Sequence, residues 1–541
     1  MQLTEVGLAN RSRWEAKGYH LPKYNRLEMI AKTKENPVWL HFGVGNIFRA
    51  FPANVVQNLL NAGVLDRGLI AVEGFDYEII SSISQPHDNY TLLVTLKTNG
   101  EVEKTVVGSI AEALVLDRRF GGSFGRLEEI FQQDSLQMAS FTITEKGYSL
   151  RDGEGNFYDE VAFDLAAGPT LTRCYSYMGK VTSLLYTRYL SGEKPIAMVS
   201  MDNCSHNGDL FREAVSTFVK SWVEKGLVEA GFLEYIENPQ KVSFPCTMID
   251  KITPRPDTTV QKMLEADGIE ALEPIVTSKK TYVAPFVNAE ECEYLVIEDV
   301  FPNGRPKFEQ GGLLFTDRET VDKVERMKVC TCLNPLHTAL AIFGCLLGYE
   351  LISEEMKDDT LRKLAEGIGY TEGLPVVVNP GILDPKEFID TVLEVRIPNP
   401  FMPDTPQRIA TDTSMKLAIR FGETIKAYQT SSDLNVSDLK LIPLVFAGWL
   451  RYLCGIDDKG DSFTLSPDPL LEELRPIMSA ISLGADVPVA PILRPILENA
   501  TIFGVNLYEA DLGELVCEYF ERMISGPGAV RTTLEQVVGD L

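Results

Sequence analysis

Gly43 and Gly45 stand where a phosphate-binding turn needs them. They follow the apolar run Val38-Trp39-Leu40-His41-Phe42 and precede residues 47–62, where Ile47, Phe48, Phe51, Val55, Leu59 and Leu60 recur at helical spacing. A first glycine permits a tight turn out of a strand, and a second lets backbone N–H groups approach a pyrophosphate at a helix start. The next apolar run, 68–72, ends in Glu73, 28 residues after Gly45. An acid there can accept hydrogen bonds from adenosine ribose hydroxyls, and Asp76 is a second candidate for that contact. It also disfavours a 2′-phosphate, so NAD is expected in preference to NADP. No third glycine completes the motif, Phe48 standing in that place, and a Gly-x-Gly also serves ordinary turns of parallel sheets.

Metal and thiol chemistry find no comparable pattern. The nine cysteines are an odd set, expected as reduced thiols rather than a disulfide framework. Cys330-Thr331-Cys332 lacks the companion CxxC or His-x3-His of a zinc site, so no metal is expected.

The order strand, glycine turn, helix, strand across 38–73 opens a right-handed βαβ unit. Further strand-like runs at 90–96, 138–143 and 196–201, with helices at 175–190 and 210–223, imply a mostly parallel sheet covered on both faces. The first 36 residues read as an extension with a helix around 26–32. Beyond about residue 320 the pattern turns helical, at 319–327, 334–347, 354–368, 385–395, 414–427, 439–453, 467–478 and 512–524. The expected fold is therefore α/β: a Rossmann-like dinucleotide-binding domain over 1–318, then a predominantly α-helical substrate and catalytic domain over 319–541.

A net charge of −26 repels a phosphate backbone and excludes nucleic acid as the expected partner. No apolar run approaches the ~18 residues that span a bilayer, and residues 1–24 lack a signal-type hydrophobic stretch, so no membrane partner and a cytoplasmic location are expected. A monomer or small homo-oligomer acting on a small molecule is the consistent picture.

The run His41-Phe42-Gly43-Val44-Gly45-Asn46-Ile47-Phe48-Arg49-Ala50-Phe51 resembles the signature of the polyol-specific long-chain dehydrogenases, the mannitol dehydrogenase family. Further blocks resemble the family in order: Thr142-Ile143-Thr144-Glu145-Lys146-Gly147-Tyr148, Met201-Asp202-Asn203, Met248-Ile249-Asp250-Lys251, Glu325-Arg326-Met327-Lys328 and Asn334-Pro335-Leu336-His337. Together the blocks cover roughly residues 38–430.

The resemblance implies NAD-dependent, metal-independent hydride transfer with a lysine acid/base. Lys328 of the ExxK motif would be that group, with Glu325 as proton relay and the amides of Asn203 and Asn334 donating to the developing alkoxide. His337, three residues after Asn334, shares its helix face. Asp250 would orient a substrate hydroxyl, while Arg396 and Lys416, with Arg408 between them, would suit a sugar acid. The implied cofactor contacts are Gly43, Gly45, Asn46, Ile47, Phe48, Arg49, Glu73, Asp76, Thr144 and Glu145. Among substrates the family offers, the keto-hexuronate/hexonate pair D-fructuronate/D-mannonate is expected first, then D-fructose/D-mannitol and tagaturonate. A departure bears on the base: Lys328 and Asn334 are six positions apart where the family has five, and Pro335 replaces a glycine. In continuous α-helix the extra residue rotates the lysine by ~100°, so either a bulge absorbs it or the base is displaced. In the latter case the chain would be a nucleotide-binding regulator without the chemistry.

Overall fold

Six of the strands form one wholly parallel sheet: β1 (Trp39–Phe42), β2 (Leu69–Glu73), β3 (Ile110–Val115), β4 (Met138–Phe141), β5 (Ile196–Ser200) and β6 (Val242–Ser243). Their spatial order is β3-β2-β1-β4-β5-β6, with Leu40 of β1 paired to Ile70 on one side and Ala139 on the other. That order reverses between β1 and β4, the arrangement of a dinucleotide-binding doubly-wound sheet, whose ligand crevice lies at the carboxyl ends of the strands flanking the reversal. Every residue of β1, β2, β4 and β5 is buried, so these strands are covered on both faces and read as unbroken apolar runs. The structure is a computed structural model that describes residues 1–169, 174–484 and 487–539. It comprises two compact units, Met1–Asp322 and Lys323–Leu541.

Several expectations for the first unit are corrected. The helix expected over 47–62 is two, α1 (Asn46–Ala50) and α2 (Pro52–Asn61), because Pro52 has no N–H to continue the ladder. The run 90–96 does form a strand, Thr91–Leu96, but outside the parallel sheet. It pairs antiparallel with Val102–Val107 and parallel with Phe286–Ala289 in a second sheet. The N-terminal extension, beyond its helix Arg26–Glu35, contributes Tyr19–His20 to the edge of that sheet.

The second unit is helical. Its helix Leu441–Leu453 is buried at every residue, and Asn334–Leu347 at all but three of its fourteen, so both serve as core. The helical stretch Arg318–Leu347 is long and apolar enough to match a membrane span, contrary to the expectation that no run reaches that length. The most apolar window is 78% buried inside the fold, as befits a core helix. This unit also carries π-helical turns at Lys328–Cys332, Gly367–Gly373, Val392–Arg396 and Ala418–Gly422, which break the longer helices read from periodicity. All nine cysteines are free thiols.

Glu355 is fully buried against Gly344, and neither carboxyl oxygen has a hydrogen-bond partner among the described residues. Burial first, then the nearby Asp358, push its pKa well above the ordinary 4.5. A carboxyl whose folded pKa is raised contributes stability below its unfolded pKa and loses it as pH rises through the folded value. Glu355→Met should therefore stabilise the protein at pH 7–8 by about 1–3 kcal/mol. The gain should shrink towards pH 4.5, as melting temperatures of the two proteins measured across that range will show. An equal difference at every pH would refute a titrating Glu355.

Candidate active site

The β1 strand delivers the chain into the glycine turn at the strand-order reversal. Gly43 adopts φ +103°, donates its N–H to Val72 O (2.8 Å), and lies so close to the end of β4 that a Cβ would strike the Thr142 carbonyl. The turn is pinned from beneath by His41, whose ring nitrogens bond Ser140 Oγ (2.7 Å) and Thr142 Oγ1 (2.8 Å) on β4 and the residue just after it. Phe48 stacks on the His41 ring at 4.1 Å, filling with an aromatic the place of the absent third glycine. Burial pulls the His41 pKa down to about 3, so the ring is neutral and serves as a staple.

Gly45 differs from Gly43. Its φ of −76° suits any residue, yet among the described residues, its own neighbouring backbone aside, no heavy atom lies within 4 Å of where its Cβ would be. It caps α1, and the N–H groups at that first turn have no intrahelical acceptor. Open space beside unpaired backbone donors is what a pyrophosphate requires.

Several of the expected cofactor contacts also hold the fold. The Arg49 guanidinium is buried, donating to Ala284 O (2.7 Å), Thr91 Oγ1 (3.1 Å) and Asn46 Oδ1 (3.0 Å), and burial pulls it down to about 10. Asn46 in turn donates to Pro254 O (3.1 Å). These side chains clamp α1 onto neighbouring segments. Glu73 likewise accepts three backbone N–H groups, from Val44 (3.0 Å), Phe75 (2.9 Å) and Asp76 (3.1 Å), and so organises the turn. Burial pushes its pKa up against the pull of those donors. Asp76 accepts the Thr277 hydroxyl on Oδ2 (2.5 Å), while its buried Oδ1 has no partner among the described residues. Of the two acids, Asp76 has the uncommitted oxygen.

Beyond β4, Thr144 takes φ +64°, and the Ile143 and Thr144 N–H groups both donate to Asp202 (3.0 and 2.7 Å). Tyr148 Oη donates to the same carboxylate (2.6 Å), so Asp202 ties the loop after β4 to the loop after β5. Sequence reading passed over Asp202 and Tyr148, although both lie inside the quoted blocks. Thr144 and Glu145 are exposed at the start of the short helix Thr144–Tyr148, and Asn203 is exposed in the loop after β5. Asn203 is framed by Asp202 and by Asn207, whose amide bonds the Asp202 carbonyl (2.8 Å) and Thr247. Asp250 closes the strand Thr247–Asp250 and is buried.

In the second unit Lys328 opens the π-helical turn Lys328–Cys332 and is buried, with Glu325 half-buried one turn earlier. Leu333 N donates to Lys328 O (3.1 Å), a bond spanning five residues rather than four. A π turn holds one more residue than an α turn, and at Leu333 (φ −130°, ψ −59°) the chain leaves helical geometry before the next helix begins. The six-residue interval from Lys328 to Asn334 therefore runs through a π turn and a bend rather than continuous α-helix, and Pro335 falls in the first turn of the next helix, where its missing N–H costs nothing.

His337 Nε2 lies 3.7 Å from Asp404 Oδ2. Burial pulls its pKa down to about 4, Asp404 opposes this, and Arg396, Arg408 and Arg420 add to the lowering, so the neutral ring is favoured. Arg396 is buried at the end of the π turn Val392–Arg396, and Arg408 is ion-paired with Asp404. Lys416 donates to the carbonyls of Thr411 and Ile409, and burial, then Arg420, lower its pKa. Arg420 and Asp404 were not singled out in the sequence, where they look like ordinary surface charges.

Residues 38–310 match the model of the mannitol dehydrogenase Rossmann domain, and residues 320–522 that of the mannitol dehydrogenase C-terminal domain. A D-mannonate oxidoreductase of Thermotoga maritima is 52% identical over 541 residues, covering 100% of this chain and 99% of that protein. A solved mannitol 2-dehydrogenase of Pseudomonas fluorescens, in ternary complex with NAD and D-mannitol, is 26% identical, with all of both chains covered and a TM-score of 0.69. A substrate-free D-sorbitol dehydrogenase, 24% identical over 98% of this chain and 100% of its own, shares the fold at a TM-score of 0.78.

Proposed function

This chain belongs to the mannitol dehydrogenase family of oxidoreductases, and from that premise we propose that it interconverts D-fructuronate and D-mannonate with NAD(H). The observation that carries the reading is the 52% identity, over the full length of both chains, to a D-mannonate oxidoreductase. The concentration of cations around His337 supports it, since a sugar acid brings a carboxylate that needs charge-assisted donors.

Cofactor binding is assigned to residues 1–318 and substrate chemistry to 319–541. The open cradle at Gly45 and the uncommitted Asp76 Oδ1 fit a dinucleotide, its pyrophosphate on the backbone of 45–47 and its adenosine ribose towards Asp76. NADH supplies the hydride that reduces the ketone, and NAD accepts it in the reverse direction. Lys328 gives a proton to the carbonyl oxygen as it becomes a hydroxyl, and takes one back when the alcohol is oxidised. The amides of Asn203 and Asn334 donate to the oxygen as its charge develops, without a competing charge of their own. Glu325 relays the proton between Lys328 and solvent, Asp250 orients a substrate hydroxyl, and neutral His337 adds a hydrogen bond. No step requires a metal.

The test is NADH oxidation by purified protein with D-fructuronate, D-tagaturonate and D-fructose in parallel. D-fructuronate is expected to have the highest kcat/KM. A clear preference for D-fructose would overturn the uronate reading in favour of the D-mannitol/D-fructose pair.

A further inference from the structure

Resting on that reading of the substrate, we propose that Arg420 binds the carboxylate of the sugar acid and so sets the preference for a hexuronate over a neutral ketose. Arg420 lies in the π-helical turn Ala418–Gly422. Its Nη1 donates to Thr338 Oγ1 (2.5 Å), and that hydroxyl donates in turn to Asn334 O (2.8 Å). The guanidinium is thereby fastened to the turn of helix that carries Asn334 and His337.

What it lacks is a counter-ion. The group is half-buried, burial lowers its pKa to about 10, and no carboxylate among the described residues pairs with it. Glu423, three residues along the chain, pairs with Arg326 and Lys426, and Asp404, beside His337, pairs with Arg408. A guanidinium kept from water with no partner is costly unless a ligand supplies the anion. With Nη1 occupied by Thr338, the Nε–Nη2 edge has no acceptor among the described residues. A planar fork presented in this way suits bidentate binding of a carboxylate better than a single hydroxyl. The other cations differ in kind, since Arg408 is ion-paired and Lys416 is held by backbone carbonyls.

The experiment measures kcat/KM for D-fructuronate and D-fructose with wild type, Arg420→Met and Arg420→Lys, together with inhibition by D-mannonate and a thermal melt of each protein. Arg420→Met is expected to lower the fructuronate-to-fructose ratio of kcat/KM by about 10²-fold and to weaken D-mannonate inhibition similarly. Arg420→Lys, which keeps the charge without the fork, should fall between. A wild type that prefers D-fructuronate beside an Arg420→Met variant with an unchanged ratio would overturn the assignment while sparing the substrate. A wild type that prefers D-fructose overturns the substrate reading instead. Arg420 then stands if Arg420→Met weakens D-mannonate inhibition, and falls if it does not.

Discussion

Replacing Lys328 by methionine is expected to lower kcat by about 10²- to 10⁴-fold, the range supplied by a positioned acid–base group, while leaving cofactor affinity near that of wild type. Methionine retains most of the buried volume, so the loss isolates the amine from packing at a site that is only 4% exposed. Position is what makes the amine useful. Were 325–334 a continuous α-helix, the six-residue interval to Asn334 would turn the lysine by ~100° away from the face that carries Asn334 and His337. The segment is not continuous: a π turn at Lys328–Cys332 and a bend at Leu333 intervene, and the cost of a π turn in weaker helical hydrogen bonding is the kind tolerated where function demands it. The assay is single-turnover reduction with excess enzyme, alongside titration of NADH by fluorescence. Turnover within tenfold of wild type would refute Lys328 as the acid/base.

Some of this site was legible in the residues and some was not, for identifiable reasons. The strands β1, β2, β4 and β5 are buried on both faces, so their sequences are unbroken apolar runs. Strand β3 was missed because Glu112 interrupts Ile110–Val115, a strand only partly buried. The strand at Thr91–Leu96 was legible as a strand, but its sheet was not, since pairing with Phe286–Ala289 is decided almost two hundred residues away. Glu73 was legible as an acid ending β2, but the three backbone donors its carboxylate accepts are brought to it only by the folded turn. The π turns have no periodicity of their own, and a window that scores α-helix reads through them. Arg420 shows the same blindness in charge: nothing in the chain distinguishes a guanidinium with a counter-ion from one without.

The two glycines of the turn should separate fold from function when each is given a side chain. Gly43→Ala forces an L-residue into φ +103° and drives its Cβ into the Thr142 carbonyl, where backbone cannot yield. Positive-φ strain and overpacking together should cost about 3–5 kcal/mol, seen as a large fall in melting temperature and with it a general loss of activity. Gly45→Val meets neither obstacle, because φ there is −76° and the space beside it is open. Its melting temperature without cofactor should match wild type. The isopropyl group, however, would occupy the volume through which a pyrophosphate reaches the N–H groups of the first turn of α1. The dissociation constant for NAD should rise about 10²-fold, or ~2.7 kcal/mol, and the thermal stabilisation that wild type gains from added NAD should shrink accordingly. Calorimetric titration of both variants decides the matter. A Gly45→Val protein that binds NAD as wild type does would show that the pyrophosphate lies elsewhere, whatever Gly43→Ala does to the fold.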